Sequence, residues 1–143
     1  MDGKIELIIV GVDGSETAEC AAREAAALAV ATGARLHLVT SLTKSRGTAA
    51  VSAAGECWQI GSIDQAEQLL AELGQRIAPN VQRSTAVLDG KPADAIVAEA
   101  ERIGASLIVV GNKHMQGAKR ILGAIASDVA HHAPCSVLIA KTT

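Results

Sequence analysis

Residues 5–15 read Ile5-Glu6-Leu7-Ile8-Ile9-Val10-Gly11-Val12-Asp13-Gly14-Ser15, an apolar, β-branched run that stops at three turn-forming residues. The run from Ile5 to Val12 is too short for a helix and too apolar for a solvated loop, so it predicts a buried strand entering a turn. Ser15 stands where a helix N-cap belongs, and Glu16 and Glu19 fall in the first turn, where the helix dipole favours negative charge. An alanine-rich stretch continues to Thr32 and stops at Gly33. Strand, tight turn and helix in that order form the first half of a β-α-β unit.

The same grammar repeats along the chain. Arg35 to Ser41 predicts a second strand. About twenty residues without a clean period follow, from Leu42 to Gly61, and a connection this long points to a lid or a partner surface. Trp58 lies within it and is expected to cover the core. Ser62 opens a helix with Ile63, Ala66, Leu70, Leu73 and Ile77 on one face, closed by Pro79-Asn80. Val81 to Leu88 alternates as an edge strand does, and Asp89-Gly90 turns the chain. Pro92 starts a helix that Gly104 ends, and Ser106 to Val110 is another buried strand. A loop from Gly111, a helix from about Gly123 to His132 and a strand from Ser136 to Ala140 complete the chain.

Strands alternating with helices imply a parallel sheet. Right-handed crossovers reduce the topology to one doubly wound, five-stranded α/β domain over residues 1–143, strand order 3-2-1-4-5, with helices on both faces. Such sheets bind ligands beyond the carboxyl ends of the strands, where the winding reverses. Here that point lies between strands one and four.

Composition narrows the function. The chain of 143 residues is 49% hydrophobic, yet holds no Phe, no Tyr and one Trp. Its core must be aliphatic, and it lacks the aromatic platforms of single-strand nucleic-acid binders. Net charge is −2 and the pI is near 6.1, so no basic footprint for DNA or RNA exists. No apolar run approaches a membrane span, and the acidic start carries no signal core, so a cytoplasmic protein is expected. Cys20, Cys57 and Cys135 show no metal or redox spacing and read as reduced thiols. The four histidines, His37, His114, His131 and His132, show no metal spacing either. His131 and His132 fit a helix C-terminus.

Missing motifs exclude several α/β enzymes. No P-loop, no GxGxxG after strand one and no nucleophile elbow is present. Asp13 stands alone, without the acidic pair of a phosphorylatable receiver domain. The stretch from Gly111 to Ala126, GNKHMQGAKRILGAIA, is more informative. Glycines let backbone amides approach a ligand, a helix opens at Gly123, and Lys113, Lys119 and Arg120 add positive charge, a combination suited to phosphate. An ordinary basic surface loop is the other reading of the same residues.

Four stretches together, GVDGSE at 11–16, DGKPADAI at 89–96, LIVVGNK at 107–113 and HHAPCSVLIAK at 131–141, resemble the universal stress protein family over essentially the whole chain. Many such proteins bind ATP through a glycine, two residues, a second glycine, nine residues, then a glycine followed by Ser or Thr. The resemblance implies that Asp13 and Val39 contact adenine, with Val12 nearby, and that Gly111, His114, Gly123 and Ala124 stand at the ribose and phosphate positions. Val110, Lys113, Ile125 and Ala126 complete the candidate set. It also implies a homodimer through Ser136 to Ala140 and leaves room for other protein partners. A carboxylate at Asp13 suits the adenine end, since it would repel phosphates; turn formation is its other reading.

The chain departs from this pattern. His114 replaces the second glycine, eight residues from Met115 to Leu122 stand where nine belong, and neither Ala124 nor Ala126 carries a hydroxyl. A hydrogen bond to a charged group contributes about 1.5–3 kcal/mol, so each loss weakens binding roughly ten- to a hundred-fold. The expectation is weak binding of ATP or a related adenine nucleotide, with or without magnesium, in a sensor or regulatory protein with at most slow hydrolysis. The alternative is a stress protein that acts through dimerisation and partners without nucleotide.

Overall fold

A computed structural model describes residues 4–42, 63–112 and 124–141. The strands are β1 (Leu7–Gly11), β2 (Arg35–Leu42), β3 (Arg83–Asp89), β4 (Leu107–Gly111) and β5 (Ser136–Ala140). The helices are α1 (Glu16–Thr32), α2 (Ile63–Ile77), α3 (Pro92–Ile103) and α4 (Ala124–His132). All strand pairs are parallel, and the order is β3-β2-β1-β4-β5, as the alternation of elements predicts.

The two-residue period of the strands divides the core. Ile8 and Val10 of β1, Leu36 and Leu38 of β2 and Val109 of β4 face α1 and α2. Ile9, Val39, Ile108 and Val110 face α3 and α4. Both faces of the central strands are thus buried, which is why they read as unbroken apolar runs. The bulky residues sit on the sheet, whereas α1 contributes Ala21, Ala22, Ala25, Ala26 and Ala29. Burying an Ile or Leu stabilises by about 1.5–3 kcal/mol, so the sheet carries most of the apolar stabilisation. Alanine instead supplies helix propensity and lets α1 lie close.

Local signals set the helix ends. Ser15 accepts from the Ala18 amide at 3.1 Å and caps α1. Gly33 and Gly104 end α1 and α3 in the left-handed conformation, φ 75° and 70°, where other residues are strained. His132 donates from Nδ1 to the Asp128 carbonyl at 2.9 Å, as expected at the end of α4.

Seven strand boundaries move by one or two residues from the sequence reading, and hydrogen bonds mark three of them. β1 begins at Leu7: just before it the Glu6 amide donates to the Ser106 hydroxyl at 3.1 Å, while the Glu6 carbonyl accepts from the Arg35 amide at 3.0 Å. Leu42, expected in the connection, extends β2 and accepts from Gly90 N–H at 3.2 Å. β3 begins at Arg83 because Val81 N–H turns back to the Ala78 carbonyl, 3.3 Å. Trp58, Cys57 and the rest of the long connection lie outside the described residues. Cys20 is exposed; Cys135 is half-buried, and burial raises its thiol pKa. No helix among the described residues is long and apolar enough to cross a membrane.

Candidate functional site

The chain leaves β1 for α1 on one face of the sheet and β4 for α4 on the other, which opens a cleft beyond their carboxyl ends. The space there, part of it open to solvent, is about 770 Å³. The β1 turn forms one wall. Val12 is buried and donates its amide to the Val39 carbonyl at 2.8 Å. Asp13 Oδ1 accepts from the Ser15 amide at 2.9 Å, and Gly14 takes φ 88°, so the turn folds back on itself before α1 begins.

The floor is made where strands end. Val39 is fully buried, with Thr40 and Ser41 beyond it on β2. The Ser41 hydroxyl donates to the Gly90 carbonyl, which ties the end of β2 to the turn before α3. Pro92 and Ile96 of α3 close that side, and Val110, Gly111, Ile125 and Ala126 close the other. At Gly11 a β-carbon would lie 2.6 Å from Ile96 Cδ1, so a larger residue there would require the Ile96 side chain to shift. The surface is therefore mainly aliphatic, with Asp13, Ser15, Thr17, Thr40 and Ser41 as polar groups, a lining suited to a flat, partly polar molecule.

The structure thus brings Val12, Asp13, Val39, Val110, Gly111, Ile125 and Ala126 around one cleft. Lys113, His114 and Gly123 lie outside the described residues. Ala124 begins α4, and its side chain is likewise not described. Among the described residues no cluster of three metal-ligating side chains occurs. Thr17, Thr40, Ser41, Pro92 and Ile96 are lining residues that sequence reasoning missed. The winding offered a signal for them, since helix N-termini and strand C-termini meet at one end of a parallel sheet.

Fold and cleft define a doubly wound α/β protein with a ligand crevice at its switch point. The model of the universal stress protein family matches residues 4–141, and the chain belongs to that family. It is 32% identical over 144 residues to a universal stress protein of Methanocaldococcus jannaschii, covering 94% of this chain and 81% of that one. A shorter stretch of 64 residues, 45% of this chain, is 36% identical to 44% of a universal stress protein of Methanothermobacter thermautotrophicus. Among solved structures, a universal stress protein in complex with cAMP superposes with a TM-score of 0.75 at 26% identity, over 97% and 99% of the two chains. The Archaeoglobus fulgidus protein in complex with dAMP shares the fold, with a TM-score of 0.68 at 24% identity over 94% and 96%. Some structural relatives therefore bind adenine nucleotides.

Proposed function

We propose that this protein binds an adenine nucleotide, ATP or a near relative, weakly in the cleft between β1 and β4, and acts as a stress-response sensor or regulator in the cytoplasm. The observation that carries this reading is the aliphatic slot of Val12, Val39, Ile96 and Val110 with one carboxylate, Asp13, at its rim. Relatives of the same fold hold cAMP and dAMP, which supports the adenine end of the assignment. An apolar slot buries the faces of a purine, and the rim groups meet its edge. The phosphate end rests on Gly111, Lys113, His114, Gly123 and Ala124, where the sequence has lost a glycine and a hydroxyl. Among the described residues the cleft supplies binding surface and no group set to activate water, a lining that supports ligand sensing. Titration calorimetry with magnesium-ATP and with cAMP tests the reading. Binding in the micromolar to millimolar range is expected, and no heat from either at millimolar ligand refutes it. In that event the protein works through protein contacts alone.

A further inference from the structure

Away from the crevice, four side chains form a continuous line on the α3 face of the sheet. Register places His37 of β2 beside Ser84 of β3, and Ser84 Oγ lies 2.6 Å from His37 Nδ1. His37 Nε2 lies 2.8 Å from Glu99 Oε2 on α3. Arg102, one turn on, holds both oxygens of Glu99 through Nε and Nη2, each at 2.8 Å. His37 and Glu99 are 6% and 5% exposed, whereas Ser84 is exposed on the edge strand.

For a neutral His37, hydrogen-bond chemistry fixes the direction of this line. The Arg102 guanidinium beside Glu99 holds its carboxyl below the usual carboxylate range, so it is ionised and only accepts. The neutral imidazole must then carry its proton on Nε2, facing Glu99. Nδ1 is left as a bare lone pair, and the Ser84 hydroxyl donates to it. Glu99 would be satisfied by Arg102 and the Nε2 proton alone. The remaining feature, a buried base aimed at an exposed hydroxyl, is the arrangement of an activated nucleophile: nucleophile and base in contact, base oriented by a third group.

We propose that Ser84 is a nucleophile with His37 as its general base and Glu99 as the residue that positions the base, and that it accepts acyl groups from small activated acyl donors such as aryl esters, thioesters or acyl phosphates. Ser84 Oγ attacks the donor's carbonyl carbon while its proton passes to His37 Nδ1. The bond from that carbon to the leaving group breaks. The imidazolium, held by Glu99, then returns the proton to the departing oxygen or sulfur, and an ester remains on Ser84. No electrons are exchanged. Ser84 is not part of the crevice lining, so the reaction is a single acylation of the chain that does not depend on nucleotide.

The test uses the full chain and p-nitrophenyl acetate, with nitrophenolate release followed by absorbance and the acetylated residue found by peptide mass mapping. One acetyl group on Ser84 is expected, absent in Ser84→Ala. His37→Gln should slow acylation by about a hundred-fold or more, the usual share of a general base. Glu99→Gln keeps an acceptor for Nε2–H but removes the charge that stabilises imidazolium. It should slow acylation and move its pH midpoint downward while circular dichroism is unchanged. Acetylation confined to lysines or the N-terminus overturns the proposal. So does a folded His37→Gln that reacts at the wild-type rate. If His37→Gln does not fold, Glu99→Gln decides: an unchanged rate and midpoint also overturn it.

Discussion

Asp13 accepts the Ser15 amide, and Ser15 in turn caps α1, so one short turn both shapes the cleft and starts a helix. Substitution separates the two roles. Asp13→Asn keeps an oxygen for the Ser15 amide but removes the charge, so its melting temperature should stay near wild type while adenine-nucleotide affinity falls roughly tenfold. Asp13→Ala should lose affinity and also about 1 kcal/mol of stability, read by thermal melting. Equal loss of affinity and stability in both variants would assign Asp13 to the turn alone. The phosphate end makes the opposite prediction. His114→Gly with Ala124→Ser restores backbone approach and one hydroxyl, and should tighten ATP binding ten- to a hundred-fold by calorimetry. No change would mean that the phosphates are held elsewhere or that no nucleotide binds.

At the scale of elements, α3 joins the two ends of the sheet: Pro92 and Ile96 line the cleft, and Glu99 reaches His37 one turn below. The folded state lowers the pKa of Glu99, chiefly through the Arg102 hydrogen bonds. A carboxyl lowered on folding contributes stability that is present above its unfolded pKa, about 4.3, and lost as pH falls through the folded value. Melting temperature should therefore drop on acidification below about pH 4, and Glu99→Gln should flatten that drop. Glu19 is also lowered, by Arg76 and Arg23, but that cluster is solvent-exposed, where ion pairs contribute about 0–1 kcal/mol. A steep acid limb that persists in Glu99→Gln would place the sensitive group elsewhere. How much of this was legible follows the range of each signal. Strand order came from the alternation of elements and from handedness, Val12 and Asp13 from the turn after strand one, and Val39 from the family resemblance. Ile96 required knowing which face of α3 meets Gly11. The line from Ser84 through His37 to Glu99 joins residues 47 and 62 positions apart. The pairing register of β2 with β3 brings His37 and Ser84 together, and hydrophobic period gives the face of each residue but not its neighbour on the next strand.

The whole molecule has two sheet edges of different character. β3 exposes Ser84, Thr85 and Asp89 along its length, whereas Val137, Leu138 and Ile139 leave β5 apolar and only half-buried. An uncovered apolar edge invites another strand, and polar side chains discourage one. We propose that β5 pairs with its copy in a homodimer. The ladder tells which groups would do so. Asn112 donates its amide to the Ala140 carbonyl at 3.0 Å, so Ala140 turns its backbone toward β4. Because N–H and C=O groups alternate sides along a strand, Leu138 also faces β4, and Val137 and Ile139 point theirs outward. Val137→Pro would remove an outward donor and leave the β4 ladder in place. Light scattering at micromolar concentration should give the wild type twice the 14.6 kDa chain mass, and Val137→Pro should shift it toward one chain with the fold retained by circular dichroism. A wild-type mass of one chain would show that β5 is left unpaired. An undiminished dimer in the folded proline variant would mean that the copies meet on another surface.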